Sequence, residues 1–324
     1  MARLDAVRLA ELLSADAAGF APVFAQAGQT CQQVFGDTVK IRALLEFSNY
    51  CRRKCRYCGL NCTNTQLVRF RLTPDEIVNT AVQAAQAGYQ TVVLQSGEDP
   101  YFTPEILGDI TKQIKTACPN LAITLSCGEF PATVYQFFKD CGADRYLLKH
   151  ETADPDIYAA LHPDSSLAQR LQCLRDIHAA GLETGGGFMV GLPGQTLQTI
   201  AEDLLLLAQI PCDMAGIGPF LPHPDTPLGS LPHGSALLTL RAVALARLLL
   251  PHANLPVTTA LGVLDRTLAD KVFCCGGNVI MQKVTPPSLR KLYQIYPADF
   301  TADTITEGRS KIEARLKALG KIPL

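Results

Sequence analysis

Phe47-Ser-Asn-Tyr-Cys51-Arg-Arg-Lys-Cys55-Arg-Tyr-Cys58-Gly-Leu60 closes an apolar, strand-like run that begins at Val39, and its cysteines carry the spacing C-x3-C-x2-C. Three thiolates on one short loop supply three of the four ligands of a 4Fe-4S cube and leave one iron open. The competing reading is a structural zinc loop or three buried cysteines. Zinc takes four protein ligands, commonly as two pairs, and no second pair at that spacing follows the triplet. The triplet's position straight after a first strand also suits a site built on strand ends.

Outward from that loop the chain repeats one plan: a short apolar run, a polar loop, then a helix with apolar residues every three or four positions. Eight strands are expected at Val39 to Phe47, Thr91 to Gln95, Ala122 to Leu125, Arg145 to Leu148, Glu183 to Val190, Met214 to Ile217, Pro256 to Ala260 and Asn278 to Met281. Thr73-Pro74-Asp75-Glu76 and Thr103-Pro104-Glu105 open helices, with threonine at the cap and proline in the first turn. Gly88, Gly142 and Gly181 end helices where a left-handed residue is needed. Strict alternation implies parallel strands with right-handed crossovers, and eight units close a (β/α)8 TIM-type barrel. A doubly wound open sheet is the alternative, because alternation alone does not prove closure. The expected organisation is an N-terminal helical extension over residues 1–36, a barrel over 37–300 and a C-terminal helical tail over 301–324.

With 324 residues and 48% apolar content the chain can bury a large core. A net charge of −1 leaves no basic stripe for nucleic acid. The apolar stretch Leu237 to Leu250 is interrupted by Arg241 and Arg247, so no membrane span is expected, and the start reads as an amphipathic helix rather than an export signal. A cytoplasmic protein with mostly reduced cysteines follows. Cys118, Cys141, Cys173 and Cys212 lie in or beside apolar helical segments, where cysteine is a small core residue. Cys62 and the pair Cys274-Cys275 stand outside this pattern, and adjacent cysteines ligate one metal poorly.

Barrel sites lie at the C-terminal ends of strands. An open iron there can take the amino and carboxylate groups of S-adenosylmethionine, and a reduced cluster can pass one electron into its sulfonium. Gly97-Glu98-Asp99 after the second strand offers backbone carbonyls to a bound amino group, although the same residues also suit an ordinary turn before Pro100. Glu151 after the fourth strand can accept from ribose hydroxyls or the amino group, and Arg170 can fork a carboxylate. Gly185-Gly-Gly187 signals close backbone approach and room for the nucleoside against the fifth strand. Tyr57 packs on the adenine or covers the cluster.

The sequence resembles the radical S-adenosylmethionine superfamily and, within it, the HydE-type maturases of iron-only hydrogenases. Beyond the cysteine stretch, the resemblance rests on Leu94-Gln-Ser-Gly-Glu-Asp-Pro-Tyr101, Ala143-Asp-Arg-Tyr-Leu-Leu-Lys-His-Glu-Thr-Ala153, Met189-Val-Gly-Leu-Pro-Gly-Gln-Thr196 and Ile217-Gly-Pro-Phe-Leu-Pro-His-Pro-Asp-Thr-Pro-Leu228. It continues through Asn278-Val-Ile-Met281 to Tyr296 and spans about residues 40–297. It implies one 4Fe-4S cluster on Cys51, Cys55 and Cys58, with S-adenosylmethionine met by Tyr57, Gly97, Glu98, Asp99, Glu151, Arg170, Met189, Met281 and Tyr293. Substrate or anion contacts would fall on Thr124, Lys149, Thr258, Thr259 and Tyr296. The implied substrate is a small organometallic or amino-acid-derived molecule. The implied partners are HydG-type and HydF-type maturases and an electron donor such as ferredoxin or flavodoxin.

Two departures stand out. No cysteine follows Phe300, so no second cluster is expected there, and Lys149 stands where the pattern calls for arginine, which keeps the charge but loses the planar fork. Methylornithine synthase and biotin-synthase-like enzymes share the triplet, and a non-catalytic iron–sulfur scaffold would need no cosubstrate cavity.

Overall fold

The computed structural model describes residues 4–298 and 301–324, so the expected boundary at residues 300 and 301 touches residues outside that set. Eleven strands are described: β1 (Thr38–Ser48), β2 (Thr91–Ser96), β3 (Ala122–Ser126), β4 (Arg145–Leu147), β5 (Glu183–Gly186), β6 (Met189–Val190), β7 (Met214–Ala215), β8 (Gly218–Pro219), β9 (Pro256–Val257), β10 (Val279–Lys283) and β11 (Ile322–Pro323). Eight of them form one parallel sheet in the order β7-β5-β4-β3-β2-β1-β10-β9. The two ends meet at Asn254, just before β9. Its N–H donates to the Asp213 carbonyl at 2.8 Å and its carbonyl accepts from Ala215 N–H at 3.0 Å. The sheet therefore curls round as a barrel, and the open-sheet alternative falls.

Residue alternation sorts the inside from the outside. On β1 Leu44 and Glu46 line the central cavity, while Ala43, Leu45 and Phe47 are fully buried in the outer hydrophobic layer under the helices. Those helices begin where the sequence says they do. Thr73 and Glu76 form a reciprocal capping box, Thr103 caps the helix Pro104–Ala117, and Gly88, Gly142 and Gly181 take positive φ at helix ends.

Several strands differ from expectation. The fifth and sixth are each broken in two, into β5 with β6 and β7 with β8, and the second pieces pair only with each other. The break falls at Gly187, whose φ is +148° and where a Cβ would lie 2.2 Å from the Gly216 carbonyl. The glycine run thus serves strand-to-strand approach, and Gly185, Gly186 and Gly187 are not themselves in the wall of the barrel cavity. The seventh strand stops at Val257, because Thr258 already occupies the N-cap of the helix Thr259–Leu264. At the C-terminus, the helix Ile305–Ala318 is followed by β11, which pairs in parallel with the start of β1.

Candidate active site

The cluster loop leaves the barrel in a near-extended course that turns alternate residues to opposite sides. Cys51, Arg53 and Cys55 are half-buried, while Arg52, Lys54 and Arg56 are exposed. Two glycines allow this placement. A Cβ on Gly97 would lie 2.2 Å from the Tyr50 carbonyl and 2.7 Å from Cys51 Cβ, and one on Gly59 would lie 2.1 Å from the Gln294 carbonyl. Alternating charges then fix the loop. Glu98 pairs with Arg52 at 2.9 Å and Arg53 at 2.6 Å, and Glu129 pairs with Arg53 at 2.8 Å and Arg170 at 2.7 Å. Both carboxylates are nearly buried, so this chain ties the loops after β1, β2 and β3 to the helix Leu167–Ala179.

All three cysteines are free thiols. Burial raises each above its ordinary pKa, with Cys58 pushed to about 12, so ionisation at neutral pH requires a metal to displace the protons. Among the described residues no group of three or more His, Cys, Asp or Glu is gathered tightly enough to hold a single ion. A cube does not require such a group, since each thiolate takes a different iron. The donor set and its spacing fit the cluster, and the fit to zinc is poor.

Below the loop lies a cavity of about 340 Å³ inside the barrel. Cys55 and Cys58 form part of its wall. Of the residues expected to meet cosubstrate or substrate, it brings together Tyr57, Glu151, Met189, Met281, Tyr293, Lys149, Thr258, Thr259 and Tyr296. Tyr57 is held by its hydroxyl, 3.2 Å from His162 Nε2, and packs edge-on against Phe220. Lys149 Nζ lies 3.0 Å from Glu151 Oε2. Burial works to raise the Glu151 carboxyl, but Lys149, with His162 and Arg170 behind it, leaves it below the ordinary value. Tyr293 accepts from Gln95 Nε2 at 3.2 Å.

Thr258 carries the plainest signal for a ligand. It occupies a helix N-cap yet makes no capping bond, and its buried hydroxyl finds no hydrogen-bond partner among the described residues. An unsatisfied buried hydroxyl is costly unless something enters the cavity to meet it. Thr124 Oγ1 is buried and unpartnered in the same way, although Thr124 is not part of the cavity wall.

Gly97, Glu98, Asp99 and Arg170 are not in that wall either. Asp99 spends both oxygens on Arg71, at 2.7 and 2.9 Å, and accepts from Ser48 Oγ at 2.6 Å and Tyr101 N–H at 3.1 Å. Arg170 donates to the Tyr158 hydroxyl at 3.1 Å and the Lys149 carbonyl at 3.3 Å. Sequence reasoning placed Gln95 only as a polar strand end and missed two polar wall residues, Glu46 and Lys283, with Lys283 Nζ 2.7 Å from Glu46 Oε1. The signal was present: charged or amide residues inside otherwise apolar strands, two residues on from another inward position. Cys62 and Cys274 are exposed, and neither belongs to the wall.

A sequence profile of the Radical SAM superfamily matches residues 45–207. The chain belongs to that superfamily, and membership implies a 4Fe-4S cluster and S-adenosylmethionine. More narrowly, it is 50% identical over 290 residues to the FeFe hydrogenase maturase subunit HydE of Thermotoga maritima, covering 89% of this chain and 83% of that one. It is 26% identical to the 3-methylornithine synthase of Methanosarcina acetivorans over 89% of this chain and 81% of the relative. The crystal structure of methylornithine synthase superposes with a TM-score of 0.87 at 25% identity, covering 99% of this chain and 94% of that one. The X-ray structure of the maturase HydG from Carboxydothermus hydrogenoformans superposes at 0.85 with 22% identity, over 99% of this chain and 76% of that one, a likeness of fold.

Proposed function

We propose that this protein is a HydE-type maturase, a radical enzyme that modifies a small precursor of the hydrogenase di-iron centre. The observation that carries the reading is three free thiols at the mouth of a closed barrel, two of them in the wall of a cavity that also holds an unpartnered threonine hydroxyl. S-adenosylmethionine bound to a reduced cluster supplies a 5′-deoxyadenosyl radical. Every other contribution is the chain's own. Cys51, Cys55 and Cys58 hold the cluster, and Tyr57, Glu151, Met189, Met281 and Tyr293 shape the cosubstrate's place beside it. Gly97, Glu98, Asp99 and Arg170 support that place from behind by fixing the loops.

Thr258, Thr259, Lys149 and Tyr296 meet the substrate, and the buried, unpartnered Thr124 hydroxyl is a further candidate contact. Lys149 holds a positive charge beside Glu151 and favours an anionic substrate group. Leu44, Leu147, Met189, Val257 and Met281 make much of the wall apolar, which keeps water from a reactive carbon-centred species. In this reading the protein works in the cytoplasm with HydG-type and HydF-type maturases, receives electrons from ferredoxin or flavodoxin, and takes a small organometallic or amino-acid-derived substrate. No helix among the described residues is long and apolar enough to cross a membrane.

A maturation assay tests the proposal: apo-hydrogenase is incubated anaerobically with the partner maturases, with and without this protein. Hydrogen evolution that depends on its presence is expected. Failure to activate, together with formation of 3-methylornithine, would assign the barrel to the other relative.

A further inference from the structure

Glu151 is the one non-glycine residue with positive φ among the described residues, at +69°. A left-handed backbone at such a residue costs on the order of 1–3 kcal/mol and persists only where its surroundings over-determine it. On one side they are plain. Glu151 N–H donates to the Gly187 carbonyl and Met189 N–H to the Glu151 carbonyl, both at 3.0 Å, so the residue is stitched to the β5–β6 break.

The other side rests on Asp203. This aspartate lies on the buried face of the helix Leu197–Gln209, among Ile200, Leu204 and Leu207, and is fully buried. Its Oδ1 accepts from Ala153 N–H, two residues past Glu151, and the Thr152 hydroxyl adds another bond. Its Oδ2 accepts from Gln195 Nε2 at 3.0 Å. Gln195 in turn donates to the Met189 carbonyl at 3.0 Å and accepts from Gly191 N–H at 2.6 Å and Leu192 N–H at 3.1 Å. Among the described residues this carboxylate makes no ion pair to a cation; its contacts are backbone, hydroxyl and amide donors. A buried carboxylate without a counter-charge is a costly way to hold a loop for stability alone.

We propose that Asp203 is the positioning residue of the cosubstrate site: through Ala153 and Gln195 it sets the backbone of Glu151, on the loop after β4, and of Met189, on β6, which both face the cavity. The inference rests on the reading of those two residues as cosubstrate contacts. Asparagine at 203 keeps the shape but accepts from only one of the two donors, because its amide N–H2 must face the other. That forces a choice between the Glu151 loop and Gln195.

The test uses anaerobically reconstituted full-length protein and equilibrium dialysis with labelled S-adenosylmethionine. Iron and sulfide content and thermal midpoint are read in parallel. Asp213→Asn is the structural control, since Asp213 also accepts a backbone N–H, from Thr184 at 2.8 Å, at the opposite end of β5. Asp203→Asn and Gln195→Met are each expected to load a full cluster and to weaken cosubstrate binding by about 10-fold, the scale of one lost hydrogen bond to a charged group. Asp213→Asn should lower the midpoint and leave that affinity alone. Affinity within about twofold of wild type in Asp203→Asn, with a lowered midpoint, would reduce Asp203 to a stability role and overturn the inference. Should Asp203→Asn fail to fold, unchanged affinity in Gln195→Met overturns it equally. Wild-type protein that loads a cluster but binds no S-adenosylmethionine would instead overturn the reading of the site.

Discussion

The two sides of this barrel are built by different means. On the side that launches the cluster loop, β1 pairs over five residues with each of β2 and β10, and β2 over five with β3. On the far side β7, β8 and β9 are two residues long, and the ladder closes through Asn254 alone. Side chains replace the missing ladder there. Arg247, fully buried, donates to the carbonyls of Gly276 at 2.7 Å, Ala253 at 2.8 Å and Pro251 at 2.9 Å, and to Asn278 Oδ1 at 3.0 Å. Asn278 then accepts from Leu255 N–H at 2.8 Å. The regular side gives the cluster loop a rigid base. The stitched side is free to present glycines and threonines to the cavity, because its backbone does not depend on continuous pairing.

The contrast can be broken most sharply at Cys55. Cys55→Ala should abolish cluster loading and deoxyadenosine formation while the barrel still folds, since stability resides in the packed layers and not in the loop. A variant that retains cleavage would remove Cys55 from the ligand set. The stitched side should behave in the opposite way. Arg247→Leu leaves several buried carbonyls without a donor, so denaturant unfolding should show a loss of about 3 kcal/mol or more. A loss below about 1 kcal/mol would mean the seam holds without it.

A third prediction concerns His150, whose two ring nitrogens are buried without hydrogen-bond partners among the described residues and whose pKa is pushed down by burial to about 3. Below the unfolded value of about 6.5 the unfolded chain binds a proton that the folded one refuses, so this contribution to stability is present above that pH and is lost as pH falls toward 3. His150→Leu should remove about 1.4 kcal/mol per pH unit of that slope near pH 5. An unchanged slope would show that His150 is not held neutral. The smallest effect on stability is expected at Thr258. Thr258→Val removes a hydroxyl without a hydrogen-bond partner among the described residues, so stability should stay within about 1 kcal/mol while substrate affinity falls about 10-fold. A large loss of stability with unchanged affinity would reverse that assignment.

The regular side was legible in the sequence and the stitched side was not. The triplet, the long apolar strands and the Thr-Pro helix openings are local signals, each decided within a few residues. The breaks at Gly187 and Gly216, the two-residue seventh strand and the pairing of β11 with β1 depend on contacts between distant segments. Arg247 reads as an interruption in an apolar helix, which is correct for excluding a membrane span but silent about the five oxygens it reaches. At the site, the barrel rule pointed to the loops carrying Lys149, Glu151, Thr258 and Thr259, the resemblance supplied Met189, Met281, Tyr293 and Tyr296, and all of these share the cavity. Glu98 and Asp99 were legible as polar groups after β2, but their ion pairs with Arg53 and Arg71 are a matter of packing. Asp203 lay hidden in a helix whose apolar neighbours mark it only as a core segment.

The most direct test is anaerobic reconstitution of the wild-type chain, followed by iron and sulfide analysis and an assay for 5′-deoxyadenosine with S-adenosylmethionine and a strong reductant. The account predicts iron and sulfide in equal amounts, enough for one 4Fe-4S cube per chain, and deoxyadenosine only when cluster, reductant and cosubstrate are all present. Zinc bound at Cys51, Cys55 and Cys58, or a fully loaded cluster that releases no deoxyadenosine, would contradict it.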